Sequence, residues 1–412
     1  MTDSKLQGKT MHVGQIKKVD KQIKVVFSIP SVSRLYTGVY EVSRNLAREL
    51  DKSDVAVDVQ GLIDAHTKDD LPSWIPVTPN THRVLGPRSV GYSPTYMDAL
   101  IESDASLGHI HALWSYTSYA LYRWSKIEEK GYLLSANGYL DPWAIANSGF
   151  KKNIAFKMGF RSVLNNASCI QVNSTLEYES VRKLGLKNPT CLISNGVILP
   201  DLALPLARPW SSIEQGRKVL LFLGRIDKKK GVDLLLQAWK SIVRRGENKN
   251  WHLVFVGFKN DGSKYEESVK SYIEENRLEN TVACLEGKYG EDMEACYRNC
   301  DAFVLPSFSE GASIAVLSAW AFSKPVIATD ECGFPDAALN GCAIKIEPTI
   351  NSVQLGIAKC IEMNESERSA MGQKGLRLVA EKYSWKVVAK EITNIYKWII
   401  SKDHERPDNM LD

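Results

Sequence analysis

Short apolar runs alternate with amphipathic stretches along most of this chain, and the alternation predicts strands and helices in turn. In the first half, Lys24–Ser28, Val55–Gly61, Leu107–His111, Leu133–Asn137, Cys169–Ser174 and Cys191–Ser194 read as strands. Thr37–Leu50, Ser115–Lys130 and a stretch near Glu177–Leu184 read as helices. The periodicity stops from Asn195 to Arg217, a proline-rich segment that reads as a linker. A second series of strands follows at Val219–Leu223, Trp251–Val256, Val282–Leu285, Ala302–Leu305, Val326–Thr329 and Ala343–Ile346, with helices between them. The last helix, Ser384–Ile400, is apolar on one face and is expected to lie across both halves.

Strands alternating with helices imply parallel pairing. The expected fold class is therefore α/β, with two Rossmann-like doubly wound domains facing a central cleft. The expected division is a flexible arm over residues 1–20, a first domain over 21–203 and a second over 204–383. A helix over 384–402 then crosses back, and 403–412 form a tail. Sheets of this kind seat ligands at the carboxyl ends of their strands.

Composition narrows the function. At 412 residues the chain is long for one core, and 44% hydrophobic with 24% charged residues is ordinary for a globular protein. A net charge of +4 is too small to argue for nucleic acid, and no basic arm or zinc-finger spacing supports it. No apolar run is long enough to span a bilayer. Residues 1–20 are polar, carry Lys17 and Lys18, and lack the apolar core of a secretory signal. The expected placement is cytoplasmic, with contact at the inner face of the membrane left open. The eight cysteines show no paired CxxC spacing and are expected to be buried reduced thiols, with no metal.

Two segments carry candidate chemistry. In Pro306–Asp336 a strand end leads into a turn with Glu310 and Gly311, then a helix, then another strand. In Val219–Gly231 a strand leads into Gly224, then Arg225 and Lys230, then a helix. Helix entrances present free N–H groups and partial positive charge, which suit phosphates and sugar hydroxyls. Two such corners in one half suggest a diphosphate ligand. Taken alone, Arg225 and Lys230 also read as a solvated basic loop beside Lys228 and Lys229, and Glu310 as an ordinary helix-entrance acid.

Several separated motifs then occur in order: Gly38 in the first strand–helix turn, HIHALWSY at His109–Tyr116, SANGYLDPW at Ser135–Trp143 and SNGV at Ser194–Val197. GRIDKKKG at Gly224–Gly231, VLPSFSEG at Val304–Gly311 and FPD at Phe334–Asp336 complete the set. From about Lys24 to Ile400 the chain resembles the retaining glycosyltransferases of family 4, which have the GT-B fold. The resemblance implies transfer of a sugar from a nucleoside-diphosphate donor to an acceptor hydroxyl, with retention and without a metal or other cofactor. It implies a nucleotide sugar and a glycan or lipid-linked acceptor as partners.

By the same resemblance, Arg225 and Lys230 would neutralise the departing diphosphate, and Glu310 would bond the donor sugar's hydroxyls. Gly311, Ala312, Ser313 and Ile314 would offer backbone N–H groups to sugar and phosphate. Ser318 stands where the family has a second acid that holds the ribose. A bridging water, a substitute such as Glu331, or loss of nucleotide binding would each account for it. Gly38 would let the first loop approach the diphosphate, with Thr37 as an alternative helix cap. Gly224, Glu286 and Tyr289 fall on the donor side, where Tyr289 either stacks on the base or is a plain loop tyrosine. His111, Asn137, Tyr139, Asp141 and Trp143 would line the acceptor side, Asn137 standing where many members carry a histidine. Read from its own residues, His111 is equally a hydrogen-bonded structural histidine. Phe150–Arg161 interleaves basic and aromatic residues and fits either a membrane surface or a core-packed helix.

The leading reading is a sugar transferase for a surface polysaccharide or glycolipid, with a uridine or guanosine diphosphate donor. A catalytically reduced binding or partner subunit with the same fold is the alternative, favoured by Ser318. A nicotinamide dehydrogenase is disfavoured because no G-x-G-x-x-G follows the first strand.

Overall fold

The computed structural model describes residues 23–140, 159–203, 205–259, 261–401 and 404–411. Seven strands come from the first half: β1 (Ile23–Ile29), β2 (Val55–Leu62), β3 (Asn80–His82), β4 (Leu107–Ile110), β5 (Tyr132–Ser135), β6 (Cys169–Val172) and β7 (Thr190–Leu192). Six follow: β8 (Lys218–Leu223), β9 (Trp251–Phe258), β10 (Val282–Glu286), β11 (Ala302–Leu305), β12 (Val326–Thr329) and β13 (Ala343–Ile346). A last strand, β14, is Met410–Leu411.

The first sheet has the order β14-β7-β6-β5-β4-β1-β2-β3 and the second β10-β9-β8-β11-β12-β13. Both are parallel, except that β14 runs antiparallel to β7. Helices cover both faces, so central strands such as β4, β5, β6 and β11 are buried along their whole length. The alternating runs thus fold into the expected pair of doubly wound sheets. Two strands escaped the sequence pattern. β3 is too short to show a period, and β14 falls in the segment expected to be a tail.

Chain order reverses between β1 and β4 in the first sheet and between β8 and β11 in the second. At such points the loops leaving neighbouring strands diverge and open a crevice. The loops after β8 and β11 are GRIDKKKG and PSFSEG.

Helix α1 (Thr37–Leu50) begins at Thr37, so the cap position is Tyr36, not Thr37, and no side chain caps it. Helices α2 (Thr175–Lys183), α3 (Val232–Arg244) and α4 (Ile314–Ala321) each follow a strand. Helix α5 (Trp385–Ile400) leaves the second domain and buries Val388, Ala389, Ile392, Ile395 and Tyr396 in a cluster with Val25, Phe27 and Leu133 of the first sheet. Its entry is set by Gly196, where a methyl group would lie 2.5 Å from the Trp385 ring.

Candidate active site

The loop after β8 is built around glycines that side chains would block. Gly231 has φ +72°, and a Cβ there would fall 2.0 Å from the Pro306 carbonyl oxygen. The β8 and β11 loops therefore touch backbone to backbone. The Asp227 carboxylate accepts the Lys229 N–H at 2.8 Å and closes the turn. Ile226 is buried beneath it. Arg225 is left exposed, without an ion pair among the described residues. Lys230 turns toward the β11 loop, where its ammonium lies 2.7 Å from Glu310 Oε1. The Ser307 hydroxyl donates to the same oxygen at 2.7 Å. Two of the three residues expected to carry the chemistry, Lys230 and Glu310, thus pair directly, and Arg225 lies on the same loop as Lys230.

The Glu310–Ser313 turn rests on the loop after β12. Glu310 donates its N–H to the Glu331 carbonyl at 2.9 Å, and Ser313 to that of Cys332 at 3.0 Å. Gly333, at φ +95°, lies against the Gly311 carbonyl, 2.5 Å from where its Cβ would be. Ser313 is therefore not a free backbone donor. Gly311, Ala312 and Ile314 have no backbone acceptor for their N–H groups among the described residues. The Ile314 side chain packs against the first domain's hydrophobic cluster and joins the two lobes. Burial pushes the Cys332 thiol beneath this turn up to about 12, and all eight cysteines are free thiols.

Ser318 is 9% exposed, on α4 near the fully buried Tyr297, so it faces the second domain's interior more than open space.

Gly38 lies in the first turn of α1 and not in the loop before it; it is exposed, with no atom within 4 Å of where a Cβ would stand, so the helix entrance has open space in front of it. Gly224, Gly257 and Gly287 end or follow β8, β9 and β10 side by side. A Cβ on Gly257 would fall 1.9 Å from the Gly224 carbonyl oxygen, and one on Gly287 3.9 Å from the Gly257 α-carbon. They form a bare backbone floor. Glu286 and Tyr289 stand at its edge, Tyr289 60% exposed and 3.8 Å by its hydroxyl from the Gly287 Cβ position.

His111 does not line an open acceptor site. It is fully buried, its ring centroid 3.9 Å from that of His109 and 4.4 Å from that of Phe27 in tilted contacts, with both ring nitrogens unpaired among the described residues. Burial pushes it down to about 3, so it is neutral at physiological pH. Its neighbour His109 accepts or donates at 2.7 Å with both Tyr396 and Ser135. Tyr139 is half-buried, and burial first, then Tyr36, raises its phenol to about 12. Asn137 does reach the domain boundary and donates to the His111 carbonyl at 3.1 Å. Asp141, Trp143 and most of Phe150–Arg161 lie outside the described residues.

The residue that sequence reasoning missed is Glu177. It is 4% exposed, and its carboxylate accepts the N–H groups of Gly138 and, at 2.7 Å, Asn173. In the sequence it resembles any acid in a helix's first turn. Only the fold brings Gly138 to it. This wall faces the second domain: a Cβ on Gly311 would lie 3.8 Å from both Asn173 Nδ2 and Gly138 N, and 3.9 Å from Glu177 Oε1.

Among the described residues, no three His, Cys, Asp or Glu side chains gather so as to hold a metal ion, and no helix is long and apolar enough to cross a membrane.

Residues 207–377 match the family described as glycosyl transferases group 1. The chain is 25% identical over 264 residues to the capsular polysaccharide biosynthesis glycosyltransferase CapM of Staphylococcus aureus, covering 62% of this chain and 67% of that protein. It is 26% identical over 248 residues to the D-inositol 3-phosphate glycosyltransferase of Saccharomonospora viridis, covering 58% of each. It thus spans between about half and two thirds of the curated relatives it matches. Among solved structures, Anabaena Alr3699/HepE in complex with UDP and glucose superposes with a TM-score of 0.74 at 17% identity, over 91% of this chain and 99% of that one. Sucrose-phosphate synthase from Thermosynechococcus elongatus superposes with a TM-score of 0.70 at 18% identity, over 91% and 98%. The chain has the GT-B fold of these proteins, and its second domain carries the match to the glycosyl transferases group 1 family.

Proposed function

We propose that this chain transfers a sugar from a nucleoside-diphosphate sugar to an acceptor hydroxyl, with retention, in the synthesis of a surface polysaccharide or glycolipid. The observation that carries the reading is the corner where Lys230 and Glu310 meet at 2.7 Å, on a loop that also carries the exposed Arg225, at the reversal point of the second sheet. A departing diphosphate develops negative charge. Fixed cations placed where that charge appears often do more for the rate than anything else in a site. Arg225 offers a planar fork to phosphate oxygens and Lys230 a point charge. Glu310 is the carboxylate beside them, suited to sugar hydroxyls and to the positive charge that grows on the reacting carbon. The glycine floor of Gly224, Gly257 and Gly287 leaves room for a uracil or guanine base, with Tyr289 at its rim.

The neutral, sealed His111 is unsuited to act as a base, which fits a same-face substitution in which the leaving phosphate takes the acceptor's proton. The two cations supply the charge neutralisation, so the reaction needs no metal. A lipid-linked acceptor would bring the chain to the inner face of a membrane. The names of the relatives, acting in capsule synthesis and on inositol phosphate, support a glycan or small polyol acceptor.

Purified protein is expected to hydrolyse or transfer from a UDP- or GDP-sugar, and to lose this on Arg225→Ala or Lys230→Ala. A wild-type chain that binds a nucleotide sugar without turning it over favours the second reading, a binding or partner subunit. Ser318, nearly buried and uncharged where an acid would hold a ribose, is the observation behind that reading.

A further inference from the structure

One buried acceptor at the domain boundary has no partner among the described residues. Asn173 is 4% exposed, and its amide direction is fixed by a chain of hydrogen bonds. The His111 carbonyl can only accept, so Asn137 presents its NH2 group there at 3.1 Å. Asn137 therefore offers its oxygen to Asn173 Nδ2 at 3.3 Å. That leaves Asn173 Oδ1 as the end of the chain, buried and unpaired among the described residues. Across the boundary stands Gly311, its N–H without an acceptor among the described residues. The Asn173 amide lies close to Gly311, its Nδ2 3.8 Å from where a Gly311 Cβ would stand, so the boundary holds an orphan acceptor on one side and an orphan donor on the other, which by themselves disfavour it.

A hydroxyl donates one hydrogen and accepts another, so one hydroxyl placed between them satisfies both. Glu310, next to Gly311, is the group assigned to the sugar. We propose that Asn173 Oδ1 accepts a hydroxyl of the transferred sugar across the cleft from Gly311, with Glu177 as the positioning residue. The lobes part to admit the sugar and reclose on it, and closure is favoured only with the sugar in place. Glu177 holds the wall by accepting both the Gly138 and the Asn173 N–H groups, while Ser174 Oγ caps its own N–H at 3.3 Å. The inference rests on the nucleotide-sugar reading above.

Calorimetry on the full chain with UDP, UDP-glucose, GDP and GDP-mannose tests it. Wild type is expected to bind one nucleotide sugar more tightly than its free nucleotide. Asn173→Ala should cut that preference by about 2- to 12-fold, the worth of one hydrogen bond, and leave the free-nucleotide Kd unchanged. An unchanged free-nucleotide Kd and an unchanged Tm separate the contact from any general loss of fold. Glu177→Gln turns an N–H donor onto one of its two backbone donors and should reduce the preference in the same sense. An Asn173→Ala chain with the full wild-type preference overturns this inference alone. A wild type that binds none of the four probes overturns the functional reading and this inference with it.

Discussion

Glu310 is asked to do two things. Its carboxylate is committed to Lys230 and Ser307 in this structure, and with donor bound it must face the sugar. The same carboxylate offsets the lysine charge meant for phosphate. Two unit charges about 6 Å apart in water interact by roughly 0.7 kcal/mol, a factor of about three in binding. Glu310→Gln is therefore expected to bind free UDP or GDP about threefold more tightly than wild type, less so at high salt, while turnover falls steeply. Titration calorimetry at two salt concentrations beside a turnover assay would check both halves. Unchanged nucleotide affinity would mean the ammonium is not where phosphate binds. Ser318 gives the opposite lesson. Motif logic alone says that Ser318→Glu should restore a ribose acceptor. In the structure the side chain is nearly buried against Tyr297, so a glutamate would have to desolvate its charge there. We expect a fall in Tm of about 5 °C or more and no tighter nucleotide binding. A variant as stable as wild type with improved affinity would show that the position opens to the cleft.

The elements were legible to different degrees, for reasons that lie in their lengths and partners. Strands buried on both faces, such as Ala302–Leu305 and Val326–Thr329, announce themselves as unbroken apolar runs and came out with the predicted ends. The three-residue β3 and two-residue β14 owe their existence to neighbours, β2 and β7, and carry no period of their own. The glycines divide the same way. Gly231 sits at positive φ against the Pro306 carbonyl, so Gly231→Ala must displace backbone and should weaken both fold and nucleotide binding. Gly38 lies in the first turn of α1 with nothing near its Cβ position, so Gly38→Ala should melt at or slightly above wild type. If this helix entrance closes over the diphosphate, the same variant should still lose several-fold in nucleotide-sugar affinity. A thermal melt beside a binding isotherm separates the two effects, and Gly38→Ala with wild-type binding would remove the helix entrance from the donor site.

At the scale of the whole molecule, the two-sheet plan was readable from the chain, but the contacts between elements far apart in sequence were not. Glu177 bonds a glycine 39 positions earlier, and Tyr396 in the last helix reaches His109, 287 positions away. Neither pairing leaves a trace in local periodicity. The His109–Tyr396 bond ties α5 to the first sheet beside His111, and this makes the assembly sensitive to acid. Burial lowers both imidazoles, His111 to about 3, against about 6.5 in an unfolded chain. The unfolded state thus takes up protons first as pH falls. The stability held by the neutral rings is complete above about pH 6.5 and is lost as pH drops toward 3, at about 1 kcal/mol per pH unit for His111 alone. The urea midpoint should fall between pH 7.5 and 5, and amide exchange in Leu107–Ile110 should quicken beyond its intrinsic pH dependence. His111→Leu should flatten part of that slope. A midpoint constant over this range would mean that water reaches the two rings and that β4 is not sealed.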